Sequence, residues 1–171
     1  MPSPLIIVLT GVAGSGKTTV GQLLAAALSW RFHDADEFHP RANIRKMEQG
    51  HPLTDADRRP WLDSLAGLIR SHSDRQEPAV VACSALKRKY RDRLAAAGPG
   101  LVFVHLRADP ELVRQRLTAR SGHFFDPALL ASQFADLEEP AEGLAVDISL
   151  SPAEIVALIR ERLGLSRVCQ H

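Results

Sequence analysis

The sequence predicts an α/β fold in which a five-stranded parallel sheet is flanked by helices. Short apolar runs alternate with longer helical segments five times, the order that parallel strands joined by crossover helices impose. The first run, Leu5 to Leu9, is apolar at every position, as in a strand covered on both faces. Helix-start signals recur between the runs. Asp109-Pro110, Asp126-Pro127 and Ser151-Pro152 each put a capping side chain before a proline at the first helical position.

The elements follow in order. After the first strand, a glycine-rich turn leads into a helix with Val20, Leu23, Leu24, Ala27 and Leu28 on one stripe. A short strand covers Trp30 to His33. The segment Asp34 to Asp57 is polar and long for a loop, which points to function or partial helix. A helix between Thr54 and His72 carries Leu62, Leu65 and Ile69 on one face, with Pro60 marking a start or a kink. Ala79 to Cys83 and Leu101 to Leu106 are further buried runs, and Ala145 to Ile148 a weaker one. A helix begins at Ser84 as N-cap and carries Leu86, Tyr90 and Leu94. The helix after Asp126-Pro127 carries Leu130 and Phe134. The last helix opens on the capping box Ser151 to Glu154 and ends near Gly164. No repeat, low-complexity segment or linker divides the chain, so residues 1–171 read as one domain.

Composition narrows the function. The chain has 171 residues, 45% of them hydrophobic and 24% charged, which excludes intrinsic disorder and collagen. A formal charge of +1 argues against a nucleic-acid binder. Two cysteines, Cys83 and Cys169, suit a reducing compartment. No run approaches a membrane span, and the apolar N-terminal run lacks the basic residues of a signal peptide. A cytoplasmic protein is expected.

Gly11-Val12-Ala13-Gly14-Ser15-Gly16-Lys17-Thr18 fits G-x-x-x-x-G-K-[ST] between a buried strand and an amphipathic helix. The pattern is that of a P-loop NTPase. Backbone N–H groups of such a loop cradle phosphates, Lys17 reaches the β- and γ-phosphates, and the Thr18 hydroxyl ligates Mg²⁺. Thr19 completes the nucleotide-binding set. A GTPase would carry N-K-x-D and D-x-x-G, and neither occurs. A small kinase is the leading class. In many P-loop proteins a strand ends in a metal-side aspartate, but Ala79 to Cys83 ends at Ser84 without one. The nearest acids are Asp34 and Asp36, two apart and facing one way if the segment is extended. Asp34 is assigned to the metal side and Asp36 to the attacking hydroxyl, with exchange of these roles left open.

The run Asp34-Ala35-Asp36-Glu37-Phe38-His39-Pro40-Arg41-Ala42-Asn43-Ile44-Arg45-Lys46-Met47 resembles a segment of bacterial-type gluconokinases. The blocks Pro52 to Leu62, Cys83 to Lys87 with Tyr90-Arg91-Asp92, and Arg120 to Phe125 resemble further segments in family order. Glu37 departs from the hydrophobic residue often found there. The resemblance implies ATP-dependent phosphorylation of D-gluconate at its 6-hydroxyl, a fold like that of nucleoside monophosphate and shikimate kinases, and a homodimer. It also implies a mobile lid near residues 116–138, whose Arg116 and Arg120, four apart on one helix face, would act on the transferring phosphoryl group. The substrate carboxylate needs a cation, and Arg41, Arg45, Lys46 and Arg59 are candidates. His39, Ser84 and Lys87 are further candidate substrate contacts. A shikimate kinase, another small-acid kinase and a nucleotide-gated binding module are the alternatives.

Overall fold

The computed structural model describes residues 5–120 and 127–165. Five strands, β1 (Ile6–Thr10), β2 (Arg31–Asp34), β3 (Ala79–Ala82), β4 (Leu101–Arg107) and β5 (Leu144–Asp147), form one sheet in the order β2-β3-β1-β4-β5. Every pairing is parallel, with β1 central and registered on both β3 and β4. The described helices are α1 (Lys17–Leu28), α2 (Arg41–Glu48), α3 (Asp55–Arg75), α4 (Arg88–Ala95), α5 (Pro110–Ala119), α6 (Pro127–Asp136) and α7 (Pro152–Arg162).

The period-two geometry of β1 explains the two cores. Ile7 and Leu9 face one way, against Val20 and Leu24 of α1 and Ile155 and Ile159 of α7. Ile6 and Val8 face the other, against Trp61, Leu65 and Ile69 of α3 and Tyr90 and Leu94 of α4. Burying each such side chain contributes about 1.5–3 kcal/mol. No helix among the described residues is long and apolar enough to cross a membrane.

Four local expectations need correction. The stripe on α1 is Val20, Gly21, Leu24 and Ala25, while Leu23 is 45% exposed and Ala27 is also exposed. Gly21 sets this rotation, because a Cβ there would meet the Phe32 ring at 2.5 Å. Helix α3 starts at Asp55, not at Pro60, since Thr54 and Asp57 form a capping box. Pro60 lies inside the helix, where it removes one N–H from the ladder.

Helix α4 starts at Arg88 with Lys87 as N-cap, four residues after Ser84. Tertiary contacts claim the intervening carbonyls: Arg91 donates to Ala85 and Leu86 at 2.9 and 3.0 Å, and Gly11 N–H donates to Ser84 at 3.4 Å. Helix α5 ends at Ala119, and Arg120 has φ −73° and ψ 106°, so Arg116 and Arg120 do not share a helix face. Asp126 as a cap, the Gly122 to Phe125 turn and Cys169 lie outside the described residues, as does part of the expected lid.

Candidate active site

The site forms at the carboxyl edge of the sheet, where β1, β2 and β3 end side by side. The loop after β1 is shaped by close approach. A Cβ on Gly11 would meet Ser15 Oγ at 2.7 Å and the Leu106 carbonyl at 3.0 Å. Gly14 has φ +77° and packs on Leu117, where a Cβ would meet the side chain at 2.9 Å. Val12 and Ser15 are buried, so they contribute backbone rather than side chain to the cradle. Helix α1 has Gly16 as its cap, no side-chain cap and no acid in its first turn. Its first N–H groups and its positive end are left to an anion.

Lys17 Nζ donates to the carbonyls of Gly11 and Val12 at 2.9 and 3.0 Å. Desolvation lowers its pKa, opposed most by the charge of Asp36. At the end of β2, Asp34 accepts from Thr18 Oγ1 at 2.9 Å and from the Asp36 amide at 3.0 Å. The second bond caps a single 3-10 turn, Ala35–Phe38. Asp34 and Asp36 therefore share a site through a turn rather than through an extended segment. Asp36 has its pKa raised, first by desolvation and then by the neighbouring Asp34 charge, with Lys17 opposing. Glu37 is exposed and lines neither cavity described below.

Two cavities meet here. One, on the loop side, is lined by Gly14, Gly16, Thr18, Thr19, Asp34 and Arg120 among others. The second is lined by His39, Arg58, Trp61, Ser84, Tyr90 and Gln133 among others. Ala13, Lys17 and Asp36 line both. In the second cavity, His39 stacks on Trp61, whose indole N–H donates to the Ala35 carbonyl at 2.7 Å. Asn43 Nδ2 donates to the Asp57 carbonyl at 2.8 Å, which fixes the amide's orientation. The same nitrogen lies 3.3 Å from His39 Nδ1, so Nδ1 accepts and Nε2 carries the proton. Burial, then the Arg58 charge, lowers the His39 pKa to about 4, so the ring is a neutral donor at neutral pH.

Residues 6–142 match the AAA_33 family, described as an AAA domain. The chain is 42% identical over 156 residues to the thermoresistant gluconokinase of Escherichia coli K12, covering 89% of each chain. The chain belongs to the gluconokinase family. A crystal structure of a gluconokinase from Sinorhizobium meliloti 1021 superposes with a TM-score of 0.83 at 42% identity, covering 96% of this chain and 98% of that one. The likeness to Aquifex aeolicus shikimate kinase, TM-score 0.57 at 18% identity over 94% of this chain and 96% of that one, shows the shared fold alone.

Against this gluconokinase-family frame, the expected site residues separate. Gly14, Gly16, Lys17, Thr18, Thr19, Asp34, Asp36 and Arg120 gather at the loop-side cavity with Ala13, and His39 and Ser84 line the second. Arg116 donates to the Ile148 carbonyl at 2.6 Å and lines neither cavity. Arg41, Arg45 and Arg59 are exposed and off both walls. Lys46 pairs with Asp57 at 2.6 Å. Lys87 pairs with Asp55 at 3.5 Å and Asp136 at 4.0 Å beside the second cavity.

The arginine on that cavity's wall is Arg58, which sequence reasoning passed over for its neighbour Arg59. Arg58 donates to Tyr90 Oη at 3.1 Å and lies 5.4 Å over that ring. Asp136, 3.8 Å away, partly balances its charge. Tyr90 also donates to Asp55, and burial with that bond pushes its pKa up to about 12. The spacing of Arg58 and Trp61, three apart on one helix, was the available signal. It became readable only once Thr54 fixed the helix start.

The chemistry of the donor set fits Mg²⁺. Thr18 Oγ1 and Asp34 Oδ2 are hard oxygen donors 2.9 Å apart beside the phosphate cradle. Among the described residues no three His, Cys, Asp or Glu side chains form a metal cluster. Mg²⁺ needs no such cage, because it takes one or two protein ligands and completes its shell with phosphates and water.

Proposed function

We propose that this chain transfers the terminal phosphoryl group of ATP to the 6-hydroxyl of D-gluconate. The observation that carries the reading is the position of Asp36. Its carboxylate lies on the wall common to the loop-side cavity and the second cavity, between the phosphate cradle and a wall of hydrogen-bonding groups.

The loop-side cavity takes the triphosphate on the amides from Ala13 to Thr18, and Lys17 exchanges its loop carbonyls for phosphate oxygens. Thr18 and Asp34 would hold Mg²⁺, which would supply charge neutralisation to the phosphates. The second cavity takes gluconate. Arg58 holds its carboxylate, and His39 Nε2–H and Ser84 serve its hydroxyls. Asp36 accepts the hydroxyl proton as the oxygen–phosphorus bond forms and the bond to the β-phosphate oxygen breaks. Its raised pKa suits that role. Arg120, on the loop-side wall, stabilises charge on the phosphoryl group.

ADP release with MgATP, compared across gluconate, shikimate, glycerate and nucleoside monophosphates, tests this directly. Turnover with gluconate is the expected result. Turnover with another acid alone would overturn the acceptor. No turnover with any acceptor would leave a nucleotide-binding module.

A further inference from the structure

One amide of the phosphate loop has a distant side chain as its partner. Ala13 N–H donates to Gln133 Oε1 at 2.7 Å, joining residues 120 apart in sequence. Gln133 lies on α6 and lines the second cavity, while Ala13 is on the wall common to both. The carboxamide thus reaches the loop from the acceptor side, at the point where a phosphoryl group crosses.

Just past the C-terminus of α6, the chain is tied to the other wall of the same cavity. Glu138 N–H donates to the Leu86 carbonyl at 2.9 Å, and Arg91 Nη2 donates to the Glu138 carbonyl at 2.8 Å. Leu86 lines the second cavity, as does Ser84 before it. The stretch from Gln133 to Glu138 therefore joins the phosphate loop to the segment after β3, with Gln133 as its contact on the loop. Lys17 Nζ is likewise tied within the loop, donating to the Gly11 and Val12 carbonyls.

A carboxamide has an unusual property for this place: it carries both an acceptor oxygen and two N–H donors. Its oxygen satisfies the Ala13 amide. A phosphoryl oxygen is anionic and is the stronger acceptor for that amide. Once displaced, the same side chain can turn its Nε2 donors toward the phosphoryl group without leaving the junction. A carboxylate there could make only the first contact and would repel the phosphate. An apolar chain could make neither.

We propose that Gln133 is a positioning residue that changes partner when the terminal phosphoryl group arrives. It releases Ala13 N–H, donates to the phosphoryl oxygens, and so lets α6 and the acceptor cavity respond to a triphosphate and not to a diphosphate. A ligand shifts such an equilibrium only through contacts that differ between the two states, and here the terminal phosphoryl group supplies them. The inference rests on the ATP-binding part of the proposed function and not on the identity of the acceptor.

The test is calorimetric binding of ADP and of a non-hydrolysable ATP analogue, each with Mg²⁺, to the wild type, Gln133→Glu and Gln133→Met. Gln133→Glu is expected to weaken the triphosphate analogue about tenfold or more and to leave ADP close to the wild-type affinity, a coupling in the ordinary range. Gln133→Met is expected to keep ADP affinity and to lower kcat with the productive acceptor. Equal weakening of both nucleotides by Gln133→Glu would reduce Gln133 to a structural contact and overturn the proposal. Unchanged binding of both nucleotides would overturn it too. Gln133 is half-buried, and a thermal melt of each variant confirms folding before binding is read. Because binding needs no acceptor, a discrimination between triphosphate and diphosphate would stand even if gluconate proved not to be the substrate.

Discussion

His39 lies flat against Trp61, with ring centroids 4.5 Å apart and planes 11° apart. The stack buries the imidazole, and Arg58 adds a repelling positive charge, so its pKa falls to about 4 from an ordinary 6.5. The unfolded chain then binds a proton on His39 at a pH where the folded chain does not. Its contribution to stability is present above pH 6.5 and is lost as pH falls toward 4. His39→Gln is expected to flatten that part of the stability profile, measured by urea denaturation of variant and wild type between about pH 4 and 7. His33 and His105 are also lowered, first by desolvation, and remain in both proteins. The difference between the two curves therefore isolates His39. Identical curves would refute the assignment.

Asp36 is expected to set the acid limb of activity. Its carboxyl is held above its ordinary 3.8 by desolvation and by Asp34, and it must be ionised to take a proton. Activity should rise with pH through a midpoint above the ordinary aspartate value of 3.8. Asp36→Asn keeps the shape and removes the base, so kcat should fall by about 10²- to 10⁴-fold and the limb should vanish. A variant with full turnover would exclude Asp36 as the base.

Arg58 and Arg59 are adjacent in sequence and opposite in prediction. Arg58 lines the second cavity and Arg59 is exposed. Losing a hydrogen bond between charged groups costs about 1.5–3 kcal/mol, so Arg58→Met should raise the KM for gluconate by about tenfold or more. Arg59→Met should leave KM as it is. Steady-state kinetics of the two variants decide the matter, and a reversed pattern would move the carboxylate site away from Arg58.

Asp34 caps the turn that carries Asp36 and also faces Thr18. Asparagine can cap as well as aspartate, so Asp34→Asn should fold and keep Asp36 in place. It should nevertheless need about 10- to 100-fold more Mg²⁺ for half-maximal rate, the size of effect seen when a group near a metal is altered. An Mg²⁺ titration of the variant with an unchanged midpoint would remove Asp34 from the metal side.

Local chemistry determined a large part of this protein. The order of strands and helices follows from the apolar runs and from caps such as Asp109 and Ser151, because both act over a few neighbouring residues. The phosphate loop was legible for the same reason: its glycines and Lys17 act through contiguous backbone. The acid pair was legible as residues but not as geometry, since only the cap from Asp34 to the Asp36 amide shows that a turn joins them. Tertiary structure decided what depends on distant partners. The start of α4 is set by Arg91 and Gly11 reaching back to the segment after β3. The arginine on the second cavity's wall is Arg58 rather than Arg59, because the rotation of α3 against Tyr90 chooses the face. The bond between Ala13 and Gln133 joins two segments 120 residues apart, and no local pattern in either one announces the other.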